Sequence, residues 1–147
     1  MLKGISPLIS PDLLHVLMSM GHGDRIVLAD GNFPGASIAV RSGARLIRLD
    51  GQGTLALLDA ILDLFPLDAY TEKPALVMAK EPQDMHLSLP IVSSYRELVA
   101  HADARGEAAF GEISRQSFYD EAAKAYAIVQ TGESAIYANI MLVKGVV

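Results

Sequence analysis

The sequence has no cysteine, and that absence removes disulfides, thiol nucleophiles and thiolate metal sites from consideration. Any chemistry must come from histidine, carboxylate, tyrosine, lysine or arginine. No apolar run reaches the roughly 20 residues of a membrane span. The opening Met1-Leu2-Lys3-Gly4 lacks the hydrophobic segment and small-residue cleavage site of a signal peptide, so a cytoplasmic location is expected. Positive charge is scarce: 12 Lys and Arg stand against 17 Asp and Glu, for a net charge of −5. With no basic stripe to release counterions from phosphates, neither nucleic acid nor an anionic membrane is expected as a partner. Gly-x-Gly-x-x-Gly, the phosphate-binding loop, Gly-x-Ser-x-Gly and His-Glu-x-x-His are all missing, which leaves nucleotide binding, serine hydrolysis and a zincin site without support. Internal repeats, low-complexity tracts and linkers are missing as well. A chain of 147 residues, 51% of them hydrophobic, then predicts one domain over residues 1–147.

What is present is an alternation of short apolar runs with helical patterns. Ser10-Pro11-Asp12 reads as a helix start, with a capping serine, proline at the first helical position and an acidic first turn. That helix should run to about Met20 with Leu13, Leu14, Leu17 and Met18 on its inner face and His15 in solvent. Arg25 to Ala29 has the length and composition of a buried strand, and Asp30 to Ser37, holding three glycine or proline residues, reads as loop. Leu46 to Leu49 predicts a second strand. Thr54 can then cap a helix carrying Leu55, Leu58, Ile61, Leu62 and Phe65 inward until Pro66 stops it. Ala75 to Ala79 predicts a third strand, and Lys80 to Leu89 shows no periodicity. Capping boxes at Ser94 and Ser117 predict helices through about Ala102 and Lys124, with a strand over Ala109 to Ile113 between them. Two further strands, Tyr126 to Gln130 and Tyr137 to Val143, close the chain and can form a non-parallel pair. The alternation predicts an α/β fold, a three-layer α/β/α domain with a mostly parallel or mixed central sheet.

In such sheets ligands gather at the carboxyl ends of strands, which places Asp30, and residues just beyond Ile113, at a candidate site. His22 lies between Gly21 and Gly23 where the first helix gives out. Imidazole is the side chain whose ordinary pKa is nearest neutrality, so His22 and Asp30 are two proton-handling groups flanking one short strand. The plainer reading is a helix-terminating glycine, a loop histidine and an ordinary turn aspartate. Arg115, beside the aromatic pair Phe118-Tyr119, can clamp an anion or a sugar hydroxyl, or simply stand in solvent at a helix start. Tyr119, Tyr126 and Tyr137 are amphipathic rings that commonly pack with a wet hydroxyl. Asn139 is different, because an amide within an apolar strand must find partners, either a polyhydroxyl ligand or a neighbouring loop. The four histidines show no close ligand spacing, so no metal site is expected.

Three segments, Ser6-Pro7-Leu8-Ile9-Ser10-Pro11-Asp12-Leu13-Leu14, Met20-Gly21-His22-Gly23-Asp24 and Ala29-Asp30-Gly31-Asn32-Phe33-Pro34, resemble the L-fucose mutarotase and D-ribose pyranase (RbsD/FucU) family. The resemblance continues through Leu67-Asp68-Ala69-Tyr70, Ile113-Ser114-Arg115-Gln116-Ser117-Phe118-Tyr119 and Thr131-Gly132-Glu133-Ser134-Ala135-Ile136-Tyr137-Ala138-Asn139-Ile140. Asp68-Ala69-Tyr70 and Phe118-Tyr119 are similar to the fucose branch. The resemblance implies an isomerase that interconverts the α and β anomers of a free, neutral monosaccharide, most readily L-fucose, without cofactor or metal. It implies His22 as proton donor and acceptor, with Asp30, Arg115, Tyr137 and Asn139 holding sugar hydroxyls and Tyr119 and Asp68 adding contacts. It also implies a homo-oligomer, a ring-based decamer whose pocket borrows residues from a neighbouring subunit. Ribose pyranose/furanose interconversion and a non-catalytic sugar-binding module are the competing readings; the second would not need His22.

Overall fold

The structure, a computed structural model, describes residues 2–147. Among them, α1 (Pro11–Ser19), α2 (Gly35–Ser42), α3 (Thr54–Leu62), α4 (Pro90–Ala102) and α5 (Arg115–Ala122) pack around β1 (Arg25–Ala29), β2 (Arg45–Leu49), β3 (Ala75–Met78), β4 (Phe110–Ile113), β5 (Ala127–Thr131) and β6 (Ile140–Val143). The six strands form one sheet in the order β2-β5-β1-β6-β3-β4. β5 runs parallel to both β1 and β2, and β3 parallel to β4, while β6 is antiparallel to β1 and β3. Only β6 therefore runs against the rest. The expected pairing of the last two strands does not occur, because β1 is inserted between them.

The pleat of β1 divides the core. Ile26 and Leu28 face the cluster built by Leu13, Val16 and Leu17 of α1, Leu57, Leu58 and Ile61 of α3, and Tyr95 and Val99 of α4. Val27 and Ala29 face the smaller cluster of Ile38 and Ala39 from α2 and Phe118 and Ala122 from α5. Helices thus cover both faces, as the alternation of elements predicts.

Local chemistry accounts for several departures from the sequence reading. α2 occupies part of the segment read as loop, since Gly31 and Pro34 punctuate the chain before it, Gly35 opens it and Gly43, at φ 78°, ends it in the left-handed region. Gly35 has a packing reason as well: a side chain there would run into Gln130 and Ile128. Met18 is 79% exposed and Val16 takes its place inward. Thr54 does not cap its helix but is its first residue, buried, behind Gly53. That helix ends at Leu62, short of Phe65. Ser94 lies inside α4, which starts at Pro90, and its hydroxyl donates back to the Pro90 carbonyl. Proline at the first position outcompetes the later serine as a start signal. Ser114, not Ser117, caps α5 by accepting from the Ser117 N–H at 3.1 Å. Tyr137 and Asn139 precede β6 instead of lying within it, and Tyr137 takes φ 59°.

Candidate functional site

The strand directions fix where polar groups can gather. The carboxyl ends of β1, β3, β4 and β5 share one edge of the sheet with the amino end of β6. At that edge Asp30 follows β1, Arg115 and Tyr119 sit on the first two turns of α5 after β4, and Tyr137 and Asn139 lead into β6. With Asn32, Phe33, Met78 and Ile136 they line a cleft of about 140 Å³. A larger groove of about 680 Å³ between α2 and α5 shares Tyr119. Its charged lining, Arg41 and Asp120, lies on exposed helix faces, so the smaller cleft is the one with buried, convergent polar groups.

Asp30 is its centre. It is 3% exposed, and its backbone N–H donates to Asn139 Oδ1 at 2.9 Å while Asn139 Nδ2 donates to its Oδ2 at 2.8 Å. The Asn32 N–H donates to Oδ1 at 2.9 Å, and Gln130 donates to the Asp30 carbonyl. Burial pushes the Asp30 carboxyl above its ordinary pKa, against the opposing pull of the Asn32 and Asn139 hydrogen bonds. Asn139 thus finds its partner in the neighbouring loop, one of the two alternatives its sequence position left open. Nδ2 carries two hydrogens, and Asp30 takes one of them.

The cleft walls are aromatic and charged. Phe33 packs against Phe118 and Tyr119 at ring-centroid distances of 5.9 and 5.6 Å. Arg115 is 53% exposed, with Nε 3.7 Å from Glu81 Oε1, so it is available to a ligand. The Tyr137 hydroxyl donates to Asp84 Oδ2 at 2.6 Å and accepts from the Glu81 N–H at 3.2 Å. The Asp84 contact raises the Tyr137 pKa. A non-glycine residue at φ 59° costs roughly 1–2 kcal/mol, so these contacts hold Tyr137 in a conformation it would not choose.

His22 and Asp68 are elsewhere. His22 precedes β1, and Asp68 is tied by its N–H to the Val143 carbonyl at the far end of β6. The five-residue strand β1 separates them from Asp30 by about 16 Å at roughly 3.3 Å per residue. His22 Nε2 lies 2.9 Å from Asp68 Oδ1, and the imidazole is 47% exposed beside the ring of Tyr70, itself 82% exposed. Asp68 also accepts from the Thr71 hydroxyl at 2.5 Å, the Thr71 N–H at 3.0 Å and the Tyr70 N–H at 3.1 Å. Led by the Thr71 hydroxyl, these donors lower the Asp68 pKa to about 2. Arg105, gripped by both carboxylate oxygens of Asp103, donates to the Asp68 carbonyl at 2.9 Å and the Thr71 carbonyl at 2.7 Å.

The sequence reading missed Gln130, Thr71, Arg105 and Thr131, whose hydroxyl donates to the Ala29 carbonyl at 2.8 Å, as supports. A Gln-Thr pair ending an otherwise apolar strand carries the same signal as Asn139, and Asp68 makes an aspartate turn with the Tyr70 N–H two residues on, which brings Thr71 within its reach. Arg105 left no local signal. Among the described residues no group of three or more His, Asp or Glu is placed to hold a metal ion, and no helix is long and apolar enough to cross a membrane.

A mixed sheet that presents a carboxylate, an amide, a guanidinium and aromatic rings in one small cleft defines an α/β protein suited to a neutral, hydroxyl-rich ligand. The chain belongs to the RbsD / FucU transport protein family, whose sequence model matches residues 3–147. It is 48% identical to the fucose mutarotase of Bos taurus over 147 residues, 99% of this chain and 94% of that one. The crystal structure of FucU from Bifidobacterium longum is 49% identical and superposes with a TM-score of 0.93, covering 99% of each chain. The fucose mutarotase of Streptococcus pneumoniae, crystallised with L-fucose, is 45% identical with a TM-score of 0.90 and 99% coverage of each chain.

Proposed function

We propose that this protein is a cofactor-independent mutarotase that interconverts the α and β anomers of L-fucose. The carrying observation is the cleft at the carboxyl edge, where Asp30, Asn139 and Arg115 offer one carboxyl acceptor and two sets of donors to a hydroxyl-rich ligand. Similarity at 45–48% identity to proteins named for this activity, one of them crystallised with L-fucose, supports the reading.

Opening a pyranose ring requires a base to take the proton of the anomeric hydroxyl while an acid protonates the ring oxygen. The ring C–O bond breaks, the aldehyde forms, its carbon rotates, and closure on the other face returns both protons. Asp68 is held as a carboxylate, so His22 Nε2–H donates to it and Nδ1 is left as the acceptor. Asp68 then orients the ring and stabilises the imidazolium as the proton arrives. Asp30, Arg115, Tyr137 and Asn139 hold sugar hydroxyls, and Tyr119 closes the cleft as an aromatic wall.

Because His22 and Asp30 stand at opposite ends of β1, one chain does not bring them to the same sugar. The proposed enzyme is therefore a homo-oligomer in which the His22–Asp68 pair of one subunit faces the Asp30 cleft of the next. The exposed Tyr70 beside His22 fits a surface that a neighbour covers, and by family resemblance the assembly is a ring-based decamer. A cytoplasmic enzyme, folded as one domain over residues 1–147, completes the proposal.

The test is exchange NMR on the anomeric protons of fucose, ribose, galactose and rhamnose with micromolar protein. Fucose exchange should be accelerated above the buffer rate more than that of the others. Fucose exchange at the buffer rate would contradict the proposal.

A further inference from the structure

Tyr95 is a tyrosine with no access to solvent, buried between α3 and α4. A phenylalanine would fill that space without a hydroxyl to satisfy, so the hydroxyl needs its own explanation. It has two partners: it donates to the Ala138 carbonyl at 3.1 Å and meets the hydroxyl of Thr54 at the start of α3. A tyrosine hydroxyl carries a single hydrogen. With that hydrogen on Ala138, Thr54 is the donor of the second bond, Glu133 Oε2 at 3.5 Å being the longer, competing acceptor for the Thr54 hydroxyl, and the order runs from Thr54 to Tyr95 to Ala138.

Ala138 is the residue between Tyr137 and Asn139, both of which line the cleft. It is fully buried and precedes β6, so its carbonyl falls outside the sheet ladder and depends on Tyr95. Its neighbour Tyr137 sits in the left-handed region at φ 59°, a conformation that persists in a tyrosine only when the surroundings enforce it. From the outer side the Tyr137 hydroxyl is tied to Asp84 and the Glu81 N–H. From the inner side the turn is tied by Tyr95.

We propose that Tyr95 is a positioning residue for sugar binding: its hydroxyl, donating to Ala138 from the core, sets the turn that aims Tyr137 and Asn139 into the cleft. The proposal rests on the sugar-binding reading above. It adds a residue that never touches the sugar but governs two that do. Loss of its hydroxyl should weaken sugar capture while leaving the proton transfer assigned to His22, at the other end of β1, unaffected.

The test is Tyr95→Phe, which keeps the ring and its packing. KM and kcat for fucose anomer exchange, the pH profile of kcat and fucose affinity by ligand-induced thermal shift are measured on folded protein. KM should rise about five- to tenfold, the size of one lost neutral hydrogen bond, with weaker affinity in proportion. The pH profile should not move, and kcat should stay within about threefold. A purely structural tyrosine would lower the melting temperature and leave KM unchanged, and that result overturns the proposal. If Tyr95→Phe does not fold, Thr54→Val serves, since it removes the donor that orients the Tyr95 hydroxyl; a two- to fivefold rise in KM is expected, and an unchanged KM overturns the proposal. Wild-type protein that neither binds nor converts fucose defeats the functional reading and this inference together, whereas active wild type with an unaltered variant defeats this inference alone.

Discussion

Asp30 and Asp68 are both 3% exposed and lie at opposite ends of the same sheet, yet the fold moves their acidity in opposite directions. The Asp68 carboxylate accepts from four groups, namely two backbone N–H groups, the Thr71 hydroxyl and His22. The Asp30 carboxylate accepts two well-formed bonds, from the Asn32 N–H and the Asn139 amide, with lesser contributions from the Phe33 and Ala138 backbone. Burial is the leading influence on Asp30, whereas hydrogen bonding leads at Asp68. A saturated carboxylate orients a neighbour and has little capacity left for a ligand. An undersupplied one gains from each sugar hydroxyl that donates to it. In the proposed mechanism the two ends take different tasks, orientation of a proton carrier at Asp68 and capture of a hydroxyl-rich ligand at Asp30.

The largest effect of that division belongs to His22→Ala. Fucose exchange should fall by roughly 10²- to 10⁴-fold, the range for a lost general acid–base group, with near-wild-type fucose affinity. The melting curve should barely change, because the imidazole is half exposed in a loop. Exchange NMR paired with thermal shift reads both, and undiminished exchange in a folded variant would remove His22 from the mechanism.

At the other end Asn139→Leu should weaken binding about tenfold to a hundredfold, with bound-state turnover less affected. It also strips the Asp30 N–H and carboxylate of their buried partner, so stability should drop by about 1 to 3 kcal/mol. Denaturant melts and KM separate the two losses. Normal fucose affinity would make the amide purely structural and break the assignment of this edge to ligand capture.

A smaller effect concerns acid. Asp68 titrates ordinarily near 3.8 and in the fold at about 2, so its stabilising contribution is fully present above about pH 4 and is lost as pH falls towards 2. Asp68→Asn should accordingly be less stable than wild type near neutrality and lose less further stability between pH 4 and 2. Asp30, with its pKa raised, contributes with the opposite sign, its ionised form being the one the fold disfavours. Thermal midpoints of wild type and Asp68→Asn across that interval check the sign, and parallel curves would contradict it.

The sequence made some of this legible, for reasons that particular residues illustrate. Asp30 stands out as a carboxylate closing an apolar run and Asn139 as an amide within one that must be satisfied, and the structure pairs them with each other. Ser10 and Pro11 announced α1 because capping is a local interaction. α2 was hidden, since a short helix of small residues behind glycine and proline has no strong periodicity of its own. Tyr95, Arg105 and the sheet order were beyond reach for a common reason. Tyr95 acts on Ala138 and Arg105 on Asp68, 43 and 37 residues away, and β1 separates β5 from β6 through pairings more remote still, such as Ile26 with Ala127 and with Leu142. His22 and Asp30 read as neighbours flanking a short strand, yet it is that strand's length that holds them apart.

In the proposed enzyme, proton transfer and sugar capture reside on different subunits of one site. Mixing His22→Ala with Asn139→Leu tests it most directly, after subunit exchange has been verified by native mass spectrometry. Each variant alone should show little fucose exchange at subsaturating sugar. The mixed assembly should recover activity, because some interfaces then combine an intact His22–Asp68 pair with an intact Asp30–Asn139 cleft. Mixed oligomers no more active than the average of their two parents would contradict the account.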